Sequence, residues 1–461
     1  MDVLGRNPES RVLPTVPPSP VLRREAQLVD KPPPGKVRFK VCQMLTTEGF
    51  ILMPAPSTAV RTARRSTARK ATRRSVCILG ATGSIGTNAI NVCTHLKDQF
   101  EIHSLTACTS WKKLSEQSLE VRPKMVALND KSSIAKPSEN LRALRDQLLG
   151  TGIEMVVGPH AMEEIVVRDD VDIVVAAVVG AAGLAPCIAA ARAGKTIALA
   201  NKEALVVAGS IVMPTARKHG ATIVPVDSEH SAIYQALRSG EGKEIKKIIL
   251  TASGGPFRTW PKAKIRHATV DQALAHPNWK MGPKITIDSA TMMNKALEII
   301  EAHWLFGLPP EKIEVLIHPQ SIIHSMIEFV DGSVIAQLGT PDMRTPIQYA
   351  LTHPNRVNGC STRLDWTKIR EMTFEQPDDR FPALQLGFEV IRLGGTSGAV
   401  VNAANEIANE MFREGNLLFG EIVEKVEEVL RRHKKSGFVK SPTLEQLLAA
   451  DTWARKETKN L

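Results

Sequence analysis

Residues 76–86 read Val-Cys-Ile-Leu-Gly-Ala-Thr-Gly-Ser-Ile-Gly, and this stretch decides the fold class of the chain. An apolar run meets three glycines, Gly80, Gly83 and Gly86, and residues 87–92 continue with helical spacing. The pattern predicts a strand, a glycine turn and a helix whose free N–H groups can hold a pyrophosphate. The spacing is G-x-x-G-x-x-G rather than G-x-G-x-x-G, so a tight turn without a nucleotide stays an alternative.

Strand-like and helical runs alternate after this turn, with apolar runs at 101–107, 125–128, 154–157, 172–175, 196–200 and 221–226. Such alternation predicts an α/β protein that begins with a Rossmann-like parallel sheet covered on both faces. The uncharged stretch 173–191 has the length of a membrane span. Because Gly180, Gly183 and Pro186 interrupt it, we expect a buried strand, a turn and a packed helix instead, and no membrane partner.

The formal net charge of +11 is concentrated in the first 74 residues, which hold 15 Lys and Arg against five Asp and Glu. The rest of the chain holds 44 basic against 43 acidic residues, which argues against nucleic acid as a partner. Residues 53–74 are rich in Ser, Thr, Ala and Arg, the composition of an organelle transit peptide, although an ordinary basic arm is the alternative. The six cysteines form no C-x-x-C pair and fit a reducing compartment.

The second strand-like run ends without the acidic residue that binds the ribose of NAD. Residues 107–110 are Ala-Cys-Thr-Ser, and Lys112 and Lys113 follow after a tryptophan. With no carboxylate to repel a 2′-phosphate, and hydroxyls and lysines nearby, NADPH is the favoured cofactor. A plain loop with solvated lysines is the alternative.

Carboxylates with metal-ligand spacing follow the last strand of the predicted sheet. Asp227 and Glu229 are two residues apart, so on an extended backbone both side chains leave the same face. Glu298 is a third candidate, four residues after Asn294 on a run with helical spacing. Oxygen ligands favour Mg²⁺ or Mn²⁺ over zinc, while a solvated acidic surface is the alternative for the pair alone.

A second glycine turn and a polar helix predict a site for a phosphate monoester. Ser253 precedes Gly254-Gly255, and Ser289 is expected to open the helix that carries Asn294, Lys295 and Glu298. Residues 276–282, His-Pro-Asn-Trp-Lys-Met-Gly, lie between these stretches without a periodic pattern and predict a lid over the substrate. A capped helix and a tryptophan that anchors a loop are the alternatives.

Together these stretches resemble the 1-deoxy-D-xylulose 5-phosphate reductoisomerase family over residues 75 to about 455. The motifs that carry the resemblance are 80–86 GATGSIG, 199–203 LANKE, 225–230 PVDSEH, 253–257 SGGPF, 276–279 HPNW, 288–295 DSATMMNK, 318–321 HPQS and 339–346 GTPDMRTP. Eight motifs in one order are far more specific than any one of them. The match departs from the usual family pattern at Cys108-Thr109-Ser110, which leaves open the side chain that contacts the 2′-phosphate.

The resemblance implies a role for each matching residue. Those implied for NADPH are Gly80, Thr82, Gly83, Ser84, Ile85, Gly86, Ser110, Asn201, Glu203 and Gly282. Those implied for a divalent metal are Asp227, Glu229 and Glu298, and those implied as catalytic are Lys202, Asp227, Glu229, His276 and Glu298. Those implied for substrate binding are Ser228, Glu229, Ser253, His276, Trp279, Met281, Ser289, Asn294, Lys295 and Glu298.

The family's reaction, which the resemblance implies here, converts 1-deoxy-D-xylulose 5-phosphate into 2-C-methyl-D-erythritol 4-phosphate by rearrangement and NADPH-dependent reduction. The resemblance also implies a homodimer and, together with the leader, a location in a plastid, in the chloroplast or apicoplast stroma. Two other functions stay open at this point. One is a related NADPH enzyme for another phosphorylated carbonyl, and the other is a non-catalytic NADPH-binding protein.

The expected organisation has five parts. Residues 1–74 form the leader, 75–227 an NADPH-binding domain, 228–352 an α+β catalytic domain, 353–378 a linker and 379–461 a C-terminal α-helical bundle. Helical periodicity in the last part predicts four helices, at 384–393, 399–412, 419–432 and 443–450. That part carries no catalytic motif, so we expect it to support the site.

Overall fold

The computed structural model describes residues 73–129, 138–279 and 281–461. The predicted leader lies outside the described residues except for Arg73 and Arg74, and Arg74 already belongs to the first strand. Lys280 in the predicted lid also lies outside them.

Seven parallel strands form the first sheet, in the order β4-β3-β2-β1-β5-β6-β7. Their bounds are β1 Arg74–Leu79, β2 Phe100–Ala107, β3 Met125–Leu128, β4 Glu154–Val157, β5 Ile173–Ala176, β6 Thr196–Leu199 and β7 Thr222–Pro225. The helices between and after them are α1 Ser84–His95, α2 Trp111–Val121, α3 Glu139–Leu148, α4 Ala161–Val166, α5 Leu184–Arg192, α6 Glu203–His219 and α7 Ser228–Ala236. All strands but the edge strand β4 are largely apolar and buried because helices cover both faces of the sheet, which confirms the predicted Rossmann-like architecture.

The uncharged stretch 173–191 forms the buried strand β5, a short 3₁₀ turn at Ala181–Gly183 and the packed helix α5, as predicted. Among the described residues, no helix has both the length and the apolar character that crossing a bilayer requires.

The second sheet has four strands in the order β11-β10-β8-β9. Their bounds are β8 Ile245–Ala252, β9 Ile313–Ile317, β10 Ile323–Phe329 and β11 Val334–Leu338. Strand β10 runs antiparallel to both β8 and β11, and β8 runs parallel to β9. The helices of this part are α8 Lys262–Ile265, α9 Val270–Leu274, α10 Pro283–Ala290, α11 Met293–Phe306 and α12 Arg344–Thr352.

Residues 353–378 contain no helix, and their backbone pairs with a sheet at the bridge between Glu375 and Ile317. Four helices follow, at α13 Ala383–Leu393, α14 Ser397–Arg413, α15 Glu421–Ser436 and α16 Leu444–Asn460. This confirms the helical C-terminal region, although α16 continues ten residues beyond the expected end at residue 450, with Arg455 and Asp451 paired on consecutive turns. The domain bounds themselves stay a prediction.

Two expectations about local structure are wrong. Asp227 and Glu229 do not lie on an extended backbone, because β7 ends at Pro225 and α7 begins at Ser228, which makes Asp227 its N-cap. Ser289 does not open the helix of Glu298 but lies in the last turn of α10. The next helix, α11, begins only after Met292, whose left-handed φ of 61° interrupts the helical path. Apolar spacing continues across such a break, so the periodicity could not reveal it.

Candidate active site

A cavity of about 430 Å³ lies where the carboxyl ends of β1, β5, β6 and β7 meet α10 and α11. Ligands of open parallel sheets bind at this edge. It brings together most of the predicted site residues: Gly83, Ser84, Ile85, Asn201, Lys202, Glu203, Asp227, Ser228, Glu229, Ser253, His276, Trp279, Met281, Gly282, Ser289, Asn294, Lys295 and Glu298. Four predicted cofactor residues do not line it, and these are Gly80, Thr82, Gly86 and Ser110.

The glycines of the first turn are required by close backbone packing. Gly80 has a φ of 75°, and a Cβ there would lie 2.6 Å from the carbonyl oxygen of Ala177. A Cβ on Gly86 would lie 2.3 Å from the carbonyl oxygen of Gly80. These two glycines therefore shape the turn, while Gly83 and the exposed Ser84 present the start of α1 to the cavity.

Side chains of α2 hold this turn from behind. Lys113 Nζ donates to the carbonyl oxygen of Thr82 at 2.8 Å, and Gln117 Nε2 donates to that of Ala81 at 3.1 Å. Ser110 lies exposed just before α2. Lys113, which the sequence placed beside a 2′-phosphate, is thus already bonded to the glycine turn.

Asn201 braces the neighbouring loop instead of offering free donors to the cavity. Its side-chain amide donates to the carbonyl oxygens of Val178 and, at 3.0 Å, Gly180. Its carbonyl oxygen accepts the backbone N–H of Ala204 at 2.6 Å and so caps the start of α6. The buried Glu203, the first residue of α6, lies 3.7 Å from Lys284.

The three predicted metal ligands converge although they lie far apart in sequence. Asp227 and Glu229 belong to the start of α7, and Glu298 lies on α11. One oxygen of each carboxylate lies within 4.8 Å of the others. Three carboxylate oxygens at this spacing suit a hard cation such as Mg²⁺. The helical turn at Ser228, not an extended strand, brings Asp227 and Glu229 together.

Two buried lysines lie among these carboxylates. Lys202 Nζ donates to Asp227 Oδ2 at 2.9 Å and to Asn294 Oδ1 at 2.6 Å. Lys295 Nζ donates to Glu229 Oε1 at 2.6 Å and also to Glu298. Asn294 Nδ2 also donates to Glu298, so Asn294 and Lys295 both contact the carboxylates as well as lining the cavity.

These contacts set the protonation of the cluster. Burial by itself raises the pKa of Asp227 and Glu229, but Lys202 and Lys295 outweigh burial and lower both pKa values. Glu298 is the exception, because burial and the charge of Glu229 raise its pKa to about 8. The neighbouring acids raise the pKa of both lysines despite burial, so the ammonium groups stay charged.

A second group with metal-ligand geometry shares Asp227 and adds His230 and Glu301. His230 Nε2 donates to the backbone carbonyl of Glu298 at 2.9 Å. Burial lowers the pKa of His230 to about 4, so its imidazole is neutral near pH 7, and burial raises the pKa of Glu301. We read this pair as support for α11 rather than as a cation site.

The predicted phosphate site is a contact between two turns. Ser253 Oγ lies 3.0 Å from His276 Nε2 and accepts the backbone N–H of Gly255 at 3.2 Å. A Cβ on Gly255, whose φ is 64°, would lie 2.9 Å from the carbonyl oxygen of Ser289. The glycine thus lets the Ser253 turn approach the end of α10.

His276 organises the predicted lid. Its Nδ1 accepts the backbone N–H groups of Asn278 and Trp279 at 3.1 and 2.9 Å, so Nε2 carries the proton that faces Ser253. Burial lowers the pKa of His276, which favours this neutral form. The Asn278 side chain bonds to Pro319 and Ser321, which fastens the loop across the cavity.

Several cavity residues were not predicted from the sequence. They are Lys284, Asp288, Met292, Ser321, His324 and Met343, together with apolar residues of the strand ends. Ser321, Asp288, Met292 and Met343 belong to stretches that carried the family resemblance, which was the available signal for them. Lys284 and His324 lie outside those stretches, and no pattern marked them.

The chain matches three family models. One, described as 1-deoxy-D-xylulose 5-phosphate reductoisomerase, covers residues 76–209. Another, described as the C-terminal domain of that enzyme, covers residues 223–306, and the third, a DXP reductoisomerase C-terminal domain, covers residues 338–457.

Curated relatives with this name match the chain over almost their whole length. The protein of Cupriavidus necator is 50% identical over 385 residues, which is 83% of this chain and 96% of the relative. The protein of Pelotomaculum thermopropionicum is 49% identical over 384 residues, which is 83% of this chain and 97% of the relative.

Solved structures of enzymes with this name have the same fold. The enzyme of Zymomonas mobilis in complex with NADPH matches with a TM-score of 0.78 and 43% identity, over 84% of this chain and 99% of that one. A reductoisomerase in complex with NADPH, fosmidomycin and magnesium matches with a TM-score of 0.77 and 40% identity, over 84% and 98% of the two chains.

The plastid location predicted from the leader is wrong, because these relatives are bacterial proteins. The prediction combined the family resemblance with the composition of the leader, which resembles a transit peptide in its content of Ser, Thr, Ala and Arg. Residues 1–72 also lie outside the described residues.

Proposed function

The chain belongs to the 1-deoxy-D-xylulose 5-phosphate reductoisomerase family, and on that premise we propose how its own residues serve the reaction of the family. The reaction is the NADPH- and divalent-metal-dependent rearrangement and reduction of 1-deoxy-D-xylulose 5-phosphate to 2-C-methyl-D-erythritol 4-phosphate. It is a step of the non-mevalonate route to isoprenoid precursors. The convergence of Asp227, Glu229 and Glu298 beside the glycine turn is the observation that carries the proposal.

The three carboxylates hold the divalent cation, which supplies Lewis-acid chemistry at the substrate oxygens when bound. Their fit to Mg²⁺ follows from an all-oxygen donor set, and the same set accepts Mn²⁺. Lys202 and Lys295 keep two of the acids ionised and supply N–H donors at the edge of the cluster. Lys202 lies where it can hydrogen-bond an oxygen that becomes negative during the rearrangement.

The turn at 80–86 holds the cofactor, and NADPH supplies the hydride when bound. Gly83, Ser84 and Ile85 present the start of α1 to its pyrophosphate, while Gly80 and Gly86 allow the turn to form. Glu203 and Gly282 lie on the wall of the same cavity. Asn201 acts through the loop that it braces.

Ser253 and Ser289 bind the phosphate of the substrate, with Asn294 and Lys295 between it and the metal ligands. His276 donates from Nε2 and fixes the loop that carries Trp279. Trp279 and Met281 cover the substrate and exclude water, which strengthens the electrostatic interactions inside.

The enzyme acts as a homodimer, and the exposed edge of the second sheet supports this part of the proposal. Strand β11 is an edge strand, in which Val334 and Ile335 expose 49% and 36% of their surface, and Val330 in the turn before it exposes 67%. An apolar edge strand is a ready surface for pairing with a second copy. Sedimentation equilibrium of the full chain should give twice the mass of 50.3 kDa, and a monomer at micromolar concentration would refute it.

One assay tests the proposed reaction directly. The full chain is given NADPH and 1-deoxy-D-xylulose 5-phosphate, with Mg²⁺, with Mn²⁺ or with a chelator, and NADPH oxidation is followed by absorbance. We expect oxidation that needs the cation, stops with fosmidomycin and yields 2-C-methyl-D-erythritol 4-phosphate. Steady oxidation in the chelator, or none with either cation, would contradict the assignment.

A further inference from the structure

Three asparagines of α14 are completely buried on one face of that helix. Asn402, Asn405 and Asn409 are each 0% exposed, at helical spacing, in a C-terminal region that has no predicted catalytic residue. Burying an amide is unfavourable unless its polar atoms are paired, so the contacts of these three side chains need an explanation.

Two of the three bind the same carboxylate of the active-site helix α10. Asn405 Nδ2 and Asn409 Nδ2 each lie 3.0 Å from Asp288 Oδ1. Lys284 Nζ lies 2.9 Å from Asp288 Oδ2, and Asn409 Nδ2 also donates to the carbonyl oxygen of Lys284 at 3.0 Å. Asp288 is 1% exposed, so these donors take the place of water around a buried anion.

Asp288 lies at the centre of the predicted substrate machinery without being assigned a role in it. The helix that carries it begins after Gly282, at the end of the lid, and has Ser289 in its last turn. At about 1.5 Å per residue, its eight residues extend about 12 Å as one continuous helix between the lid and Ser289. Lys284 on the same helix also faces Glu203 on the cofactor side at 3.7 Å.

We propose that Asp288 is a positioning residue, which Asn405 and Asn409 hold so that α10 keeps Ser289 and the lid hinge in the geometry for binding the substrate phosphate. The C-terminal helices thereby act on substrate binding through one carboxylate. The inference rests on the proposed function, because it takes Ser289 as a phosphate ligand.

The Asn405 side chain is better suited to orienting Asp288 than to stabilising the fold. Its amide N–H reaches Asp288, whereas its carbonyl oxygen has no hydrogen-bond partner among the described residues. A leucine of similar size would avoid that desolvation but would leave Asp288 with one donor fewer. Asn402 offers a matched control, since it is equally buried on the same helix and donates to Glu406 instead, at 3.1 Å.

The test compares Asn405→Leu with Asn402→Leu in the full chain. Loss of a hydrogen bond to a charged group should raise KM for 1-deoxy-D-xylulose 5-phosphate about tenfold in Asn405→Leu. We expect the Kd for NADPH in that variant, and both constants in Asn402→Leu, to stay within about twofold of the unmodified chain. Equal KM values in the two variants would overturn the positioning role. A rise in the Kd for NADPH as large as the rise in KM for the substrate in Asn405→Leu would also overturn it.

A second variant and a second measurement keep the test decisive if Asn405→Leu does not fold. Asn405→Asp keeps the shape but places a carboxylate against Asp288, and we expect at least the same rise in KM. Hydrogen exchange of amides 281–292, measured without substrate, should become faster in the Asn405 variants and not in Asn402→Leu.

Hydrogen exchange also separates this inference from the proposed function. Unchanged exchange at 281–292 in both Asn405 variants refutes the positioning role, whatever the activity is. The unmodified chain could also fail to oxidise NADPH with the substrate while exchange at 281–292 becomes faster in the Asn405 variants. That result would support the contact between Asn405 and Asp288 and refute the proposed reaction.

Discussion

The glycine turn and the carboxylate cluster form two walls of one cavity but are built in opposite ways. The turn consists of seven consecutive residues, 80–86, and its shape depends on the absence of side chains at Gly80 and Gly86. The cluster consists of side chains from the starts of α6 and α7 and from α11, more than ninety residues apart at its extremes, and two ammonium groups compensate two ionised carboxylates. The turn therefore depends on close backbone packing, and the cluster depends on the balance of charges. Substitutions in one wall should therefore change its function and leave that of the other wall intact.

The largest expected effect separates catalysis from cofactor binding. Asp227→Asn removes the charge of a metal ligand and the partner of Lys202, so we expect kcat to fall by about a thousandfold. NADPH affinity should be retained, because the glycine turn is untouched. Stopped-flow turnover and fluorescence titration with NADPH measure the two quantities, and normal turnover would refute the metal assignment.

A substitution in the glycine turn should have the opposite effect and weaken cofactor binding without changing metal binding. Gly86→Ala places a Cβ 2.3 Å from the Gly80 carbonyl oxygen, so the backbone must shift and the Kd for NADPH should rise about 10- to 100-fold. Binding of Mn²⁺, followed by electron paramagnetic resonance, should not change. Gly83→Ala is the matched control with a smaller effect, since its Cβ would lie 3.4 Å from the nearest atom. A larger loss at Gly83 than at Gly86 would contradict the packing argument.

A smaller effect is expected where the cluster meets the phosphate site. Lys295→Ala removes an ammonium group from beside the substrate phosphate, and KM for the substrate should rise about tenfold with NADPH affinity retained. Lys295→Arg restores the charge with a different shape and should recover part of the loss. An unchanged KM in Lys295→Ala would argue against the phosphate role.

The smallest effect concerns pH. Because the folded chain holds a proton on Glu298 up to about pH 8, while an ordinary glutamate loses it near 4.5, stability from this group is lost as pH rises through that interval. Mg²⁺ binds the ionised form, so its effect on Tm should grow from pH 6.5 to 9. Calorimetry in chelator and in Mg²⁺ at both pH values checks this. Glu298→Gln, which cannot ionise, should lose the pH dependence of the shift, and an equal shift at both pH values in the unmodified chain would contradict it.

The two walls also differ in how far the sequence could predict them. The turn was predictable because its signal is local, and an apolar run, three glycines and a helix are adjacent at 76–92. Asp227 and Glu229 do lie close together, but the predicted reason is wrong, since a helix start and not an extended strand brings them together. Ser289 was placed on the wrong helix because apolar periodicity does not register the left-handed Met292.

Contacts across long stretches of sequence had no signal at all. The link from Asn405 to Asp288 spans 117 residues, and both residue types are common. Lys113 is another example. The residue types around it predicted a position near the 2′-phosphate of NADPH, whereas its ammonium group donates to the carbonyl oxygen of Thr82. The prediction of a plastid location was wrong for a related reason. The amino-acid composition of the leader does not show which import receptor, if any, would recognise it.

Helix α11 places Asn294, Lys295 and Glu298 on barely more than one turn, directly after Met292. Each added residue rotates a helix by about 100°. A one-residue insertion after Met292 would therefore swing an amide, an ammonium and a carboxylate out of the cavity together. At this junction, insertions and deletions should therefore be tolerated less well than substitutions. We expect a homologous chain with an insertion or deletion there to have lost the activity.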